Sequence, residues 1–194
     1  MSRYVAPILR ADCEEYILRI HYAKRWPSVS YRYGLFVDGE LCGVVTFGSP
    51  ASPWLCKGVC GEEYRKNVIE LNRSVLKYNR KNEASYLIGR SLRLLAKEKD
   101  YIVVSYADTA QGHTGYVYQA TNWLFTGTTK PRTDMATLTG GHSRHHGGDR
   151  SNRVYRSAKH RYVTFVGKKR FVQEAKENLR YPTKTYPKKI TEGG

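Results

Sequence analysis

Asp108 closes the apolar run Tyr101–Ala107 and opens the polar turn Thr109–Gly112. In an open α/β sheet, ligands gather at the carboxyl ends of strands, so a carboxylate there can take a proton from an amine or orient it. The same residue could simply cap the next helix. His21 and Tyr22 close the first helical pattern. The imidazole could complement the helix C-terminus or act as acid, base or ligand, and the phenol ring could stack on a base. Arg73 sits inside the apolar run Val68–Leu76, where a buried charge needs an anion. Either a bound phosphate or the nearby Glu70 would serve. His142-x-x-His145-His146, with His160 beyond it, and the pair Cys56-x-x-x-Cys60 are metal-type residues. Neither set has the spacing of a complete site, and phosphate contact is the better reading of the histidines.

These groups need a scaffold, and hydrophobic periodicity supplies one. Tyr4–Leu9 reads as a strand and Ala11–Tyr22 as a helix with acids in its first turn. Tyr31–Val37 and Leu41–Phe47, joined by Asp38-Gly39, read as a hairpin. Gly48–Pro53 is turn-rich and leads into a loop carrying Cys56 and Cys60. Val68–Leu76 is a strand, Ala84–Lys97 an amphipathic helix, Tyr101–Ala107 a strand buried on both faces, and Thr114–Thr121 a helix. Strands at Trp123–Thr128 and Arg161–Val166 flank residues 130–160, which read as a basic Gly/His/Arg-rich loop. The order implies one α/β domain over residues 1–180, with a central mixed β-sheet flanked by helices. Residues 181–194 form an extended basic tail.

The chain of 194 residues has room for one such domain. Its net charge is +16, and residues 130–194 contribute 16 basic against 5 acidic groups. Such an imbalance points to a polyanion, with nucleic acid first. No apolar stretch is long enough to span a membrane. The N-terminus lacks the features of a secretory signal, so four cysteines imply free thiols and a cytoplasmic protein.

Several segments together resemble a known family. Tyr118-Gln-Ala-Thr-Asn122-Trp123 is similar to the Tyr-x-x-x-Gly-Phe that ends the fourth helix of GNAT acyltransferases. Ile20–Pro27, Tyr33–Phe36, Thr46–Ser52, Glu70–Arg73 and Tyr106–Asp108, in that order, resemble the Mom proteins of Mu-like phages. The likeness covers about residues 8–130. It implies a GNAT-like fold and a phage enzyme that places a methylcarbamoyl group on adenine N6, protecting phage DNA from host restriction. It implies acetyl-CoA or a related acyl-CoA as donor and double-stranded DNA as partner, with the adenine flipped out. Asp108, Tyr118, His21 and Tyr22 become the catalytic candidates, Tyr118 as the acid facing the leaving thiolate. Arg73, Ser74 and Ser85 become cofactor contacts. Tyr31, Arg25, Arg144, Arg150, Arg153 and Arg156 become DNA contacts, and Tyr22, Trp26, Tyr31 and Trp54 candidates for the base pocket. The window Arg80–Ser85 departs from the family's phosphate signature, because Glu83 replaces a glycine. A plain amine N-acetyltransferase and a non-catalytic nucleic-acid-binding module are the alternatives.

Overall fold

Asp38 and Gly39 both take positive φ (49° and 86°), the backbone that a tight two-residue hairpin turn demands. That turn joins β2 (Tyr31–Val37) to β3 (Glu40–Gly48), the first antiparallel pair of a large mixed sheet. The computed structural model describes residues 2–135 and 153–188. The sheet also holds β1 (Arg3–Pro7), β4 (Val68–Leu76), β5 (Tyr101–Asp108), β6 (Leu124–Thr128) and β9 (Lys159–Val166). Its order is β1-β2-β3-β4-β5-β9-β6. A separate ribbon pairs β7 (Arg132–Met135) with β8 (Arg153–Arg156).

Helices cover both faces. On one, α3 (Glu83–Glu98) buries Leu87, Ile88, Leu92 and Leu95 against Leu35, Val45, Leu71 and Val103. On the other, α2 (Pro53–Cys60) and α5 (Lys169–Glu177) pack Leu55, Val59 and Ala175 onto Val68, Ile102, Val104 and Val163. Beside them, α1 (Arg10–Glu15) and the π-helical turn Tyr16–Ile20 bury Cys13, Tyr16 and Ile17 against Val44 and Val75. The short α4 (Tyr116–Gln119) starts at Gly115, whose φ of 78° is left-handed. A side chain there would also strike the Tyr162 ring, so glycine is required twice over.

Two features shape the site. β4 and β5 are the parallel neighbours of the sheet, and their pairing runs from Val68–Ile102 to Leu71–Ser105 and stops, although the strands continue to Leu76 and Asp108. Beyond that point they diverge. Secondly, the β3–β4 register shifts between Thr46 and Phe47, which face Arg73 and Leu71, so Asn72 is a bulge residue. The bulge turns Arg73 onto the face that already carries Glu70.

The helix expected over Ala11–Tyr22 is broken, its second half widening into the π turn before His21 leaves helical angles. A helix, α2, stands where the sequence predicts a loop, with Pro53 in its first turn and Ser52 capping Leu55. α5 has no counterpart in the sequence reading. The loop expected over 130–160 contains the β7–β8 ribbon, and β9 begins at Lys159. Arg144, Arg150, His142, His145 and His146 lie outside the described residues. Residues 181–188 are extended but anchored: Lys184 N donates to Phe125 O at 2.8 Å, and Tyr186 Oη to Trp123 O at 2.7 Å. They cover the outer edge of β6, a row of groups otherwise open to pairing. Among the described residues no helix is long and apolar enough to cross a membrane.

Candidate active site

Where β4 and β5 part, Ser105 Oγ lies 2.8 Å from the Leu71 carbonyl and 2.7 Å from the Tyr118 phenol. A carbonyl only accepts, so when the Ser105 proton is committed to it, Tyr118 is the donor to Ser105. Tyr118 is buried among Trp123 and Tyr162, at ring centroids of 5.0 and 5.1 Å. Burial pushes its phenol up to about 12, so it holds a proton at neutral pH.

On the opposite face of the fork opens a cleft of about 790 Å³. Its lining comes from the 22–25 loop, the start of α2, β4, the end of β5 and the β7–β8 ribbon. Glu70 lines it, half-buried, and burial pushes its carboxyl up to about 7 against the opposing pull of Arg73 and Lys159. Arg73 donates Nη1 to Asn72 O at 2.6 Å and Nη2 to Arg25 O at 3.2 Å. Its buried Nε has no hydrogen-bond partner among the described residues. A guanidinium N–H cannot stay unpaired in such a place without cost, so it suits an acceptor oxygen from a ligand.

Asp108 reaches the same cleft and is held firmly there. It accepts from Ala110 N at 3.0 Å, from Ser157 Oγ, and from Lys159 Nζ in an ion pair. Burial alone would raise its carboxyl, but the bonds from Lys159 and Ser157 outweigh it and keep the pKa below the usual range. It caps the turn Thr109–Gln111, as one sequence reading expects, and also faces the cleft.

Tyr22 lines the cleft half-exposed, stacked on His21 at 4.4 Å and edge-on to His113 at 6.1 Å. His21 Nδ1 accepts from Ala23 N at 3.0 Å. Burial, Arg73 and His113 lower its pKa to about 4, so the imidazole is neutral and its proton sits on Nε2. Arg25 and Arg156 line the cleft too, while Arg153 stands exposed on the adjoining ribbon.

At the start of α3, Glu83 is buried and turned inward, accepting from Arg80 N at 3.1 Å. The carboxylate that replaces a glycine thus caps the preceding loop. The first-turn amides of Ala84 and Ser85 have no partner among the described residues, as expected at a helix start. Ser85 Oγ donates to Asn82 O at 3.2 Å. Arg3, Arg80, Lys81, Glu83 and Tyr86 line a cavity of about 460 Å³ beside them. Ser74, opposite Val45, lies on this α3 face.

Other sequence candidates fall elsewhere. Tyr31 is 2.9 Å from the Tyr101 hydroxyl and packs into the α3-side core, away from the cleft, so it is corrected from a DNA contact to a core residue. Trp26 packs beside Cys13 and Ile17, under the Arg10 guanidinium. Cys60 is buried with its thiol 3.4 Å from Ala175 O, and His160 bonds Thr128 at 2.8 Å. No group of three His, Cys, Asp or Glu able to hold a metal occurs among the described residues. Glu70, which the sequence offers only as a counter-ion for Arg73, lines the cleft and is a candidate in its own right, though in the sequence it is one acid in an alternating strand. Its signal was slight: a charged residue three positions before a second one in an apolar run.

A mixed sheet that forks between parallel neighbours, with a helix start beside the fork, defines a GNAT acyltransferase fold. Solved structures agree. The ribosomal-protein-S18-alanine N-acetyltransferase of Escherichia coli superposes with a TM-score of 0.54 at 10% identity, covering 86% of this chain and 96% of that one. A GNAT-family acetyltransferase from Streptococcus pneumoniae gives 0.53 at 10%, covering 85% and 100%. An N-acetyltransferase from Staphylococcus aureus Mu50 gives 0.52 at 17%, covering 84% and 98%. At such identities the likeness is one of fold. The family is narrower: the Mom protein family matches residues 2–188, and the chain belongs to it. It is 35% identical over 112 residues to the methylcarbamoylase Mom of Escherichia phage Mu, covering 55% of this chain. It spans about half the length of that relative, 46%.

Proposed function

We propose that this chain is a DNA-modifying acyltransferase that places a methylcarbamoyl-type group on N6 of an adenine swung out of the duplex. The observation that carries this reading is Glu70, a carboxylate poised near neutrality at the fork of the sheet, in a cleft rimmed by arginines and tyrosines. An acyl transferase needs a base at the amine, and a base with a pKa near the working pH is the efficient one. Membership of the Mom family and the likeness to the phage Mu methylcarbamoylase support transfer of a methylcarbamoyl-type group.

An acyl-CoA is the donor that the fold family implies, and the residues fit it. The edge of β4 beyond Leu71 loses its parallel ladder, and Arg3, Arg80 and Lys81 line a cavity next to the start of α3, together with the Glu83 carboxylate that already caps the preceding loop. Ser74 and Ser85 would lie along this side, and the unpaired Nε of Arg73 would take an oxygen at the cleft. When bound, the cofactor would supply a carbonyl carbon activated as a thioester. For a methylcarbamoyl product that carbonyl must already carry the methylamino nitrogen, since an acetyl thioester would leave only an N-acetyl group.

The chain's own residues do the rest. Adenine N6 is stacked inside the duplex, so the base must leave the stack to reach a cleft. Tyr22, propped by the neutral His21, offers a ring to receive it. Asp108, already ion-paired, orients the amine by accepting one of its N–H groups. Glu70 would be placed to take the other proton of N6, and Tyr118 to give its phenolic proton to a leaving thiolate. Arg25, Arg153 and Arg156, with Arg144 and Arg150 of the segment between the ribbon strands, hold phosphates and carry no sequence code.

Digestion of DNA from cells expressing the chain, followed by mass analysis of the nucleosides, tests the reading. A new adenine nucleoside is the expected result. Unchanged adenine with acylated protein amines would overturn it.

A further inference from the structure

The rim of the cleft carries an aromatic residue that the chemistry above does not use. Trp54 is 81% exposed, the most exposed large apolar side chain among the described residues. It occupies the first turn of α2, between Ser52 and Leu55, both of which line the cleft. Its base is rigid: Pro53 fixes the backbone before it, Ser52 caps the helix, and Leu55 and Val59 anchor the helix in the core. An indole held out into water on a stiff support is free to meet a partner with a flat apolar face, such as a base.

Position separates its role from that of the other rings. Tyr22 and Tyr155 line the cleft and face what enters it. The Trp54 ring stands outside that lining, at the rim, and meets what stays outside. The cleft beside it is lined by the cations Lys24, Arg25, Lys130 and Arg132, which would draw a polyanion to its mouth. A duplex held by those cations while one base occupies the cleft has a gap in its stack, and an inserted apolar side chain is a general way to keep such a gap open.

We infer that Trp54 enters the base stack at the place vacated by the extruded adenine and holds the duplex open. This rests on the DNA reading above. Trp54→Ala therefore weakens binding to a fully paired duplex roughly 10- to 100-fold, the range for removing one ring from a base stack. The defect shrinks to less than about threefold when the target adenine faces an abasic site, since no base pairing then opposes extrusion. Trp54→Phe retains part of the paired-duplex affinity.

The experiment is an anisotropy titration of wild type, Trp54→Ala and Trp54→Phe against both duplexes, with no donor present. A companion duplex carries 2-aminopurine as target, whose fluorescence rises when it leaves the stack. The expected result is a paired-duplex defect, rescued by the abasic partner, and a 2-aminopurine signal lost in Trp54→Ala. Equal defects on both duplexes would make Trp54 a general contact and overturn the wedge, as would no defect on either. If wild type binds neither duplex, the DNA reading falls and the wedge with it. If wild type binds both and Trp54→Ala does so equally, only the wedge falls.

Discussion

Replacing Glu70 by glutamine should separate catalysis from stability. The side chain keeps its size and its place at the fork but loses the ability to take a proton. Folded, Glu70 holds its proton up to about pH 7, whereas its ordinary value is 4.5. Between those values the folded state binds more protons than the unfolded one, so its contribution to stability falls as pH rises. The difference amounts to about 3 kcal/mol, complete by roughly pH 8. The Gln variant has no charge to desolvate, so above neutrality it should melt several degrees higher than wild type. Below about pH 4.5, where the acid is neutral in both states, that advantage should vanish. Activity should move the other way. Wild-type kcat/KM should rise with pH through an inflection near 7, and Glu70→Gln should lose that inflection together with roughly 100- to 10,000-fold in rate. Calorimetry across pH and single-turnover modification of a duplex measure the two halves. A rate within about threefold of wild type, or an inflection that survives the substitution, would refute Glu70 as the base.

Tyr118→Phe should leave the fold intact, at a cost of about 1 kcal/mol for the missing bond to Ser105, while product formation falls by roughly 100-fold; melting and modified-adenine yield check this. Asp108→Asn breaks the ion pair to Lys159 and should cost about 1–2 kcal/mol at neutral pH. Because the folded carboxyl lies below its usual value, that difference should disappear as pH falls through it, and modification should fall further than stability explains. Arg153→Ala with Arg156→Ala should weaken binding evenly across DNA sequences and reduce the log–log salt slope by about 0.9 for each phosphate no longer neutralised, read by titration at several salt concentrations. Acetyl-CoA well above its dissociation constant should raise the melting temperature of wild type, and Arg80→Ala with Lys81→Ala should reduce that rise.

Much of the scaffold was legible because its signals are local. The Asp38-Gly39 turn, the α3 stripe and the apolar run of β5 each state their structure within a few residues. The α2 helix was hidden by its composition, since Gly48–Pro53 reads as turn and Cys56, Lys57 and Gly58 show little periodicity. What makes it a helix is the Ser52 cap and a tertiary seat for Leu55 and Val59. Tyr31 was misplaced because an exposed-looking aromatic at a strand start gives no hint of Tyr101, 70 residues away, which takes its hydroxyl. Asp108 and Tyr118 were proposed by position and motif. Their partners, Lys159, Ser157 and Ser105, depend on pairing β5 with β9 and on the fork, which no local pattern announces.

The Asn72 bulge explains why Glu70 in particular escaped notice as a base. In a regular strand, successive side chains alternate faces, so Glu70 and Arg73 would point to opposite sides and could not influence each other. One extra residue opposite the Thr46–Phe47 step restores them to a common face. There Arg73 pulls the Glu70 carboxyl down while burial pushes it up, and the balance leaves it near neutrality. Without the bulge only Lys159 would oppose the burial, and a base with a higher pKa would be less available at neutral pH. The same extra residue is what brings the unpaired Arg73 Nε to the cleft. Arg73→Ala should therefore let the Glu70 carboxyl rise and move the inflection above neutral pH. An Arg73→Ala variant that kept the inflection near 7 would show that Arg73 plays no part in tuning the base.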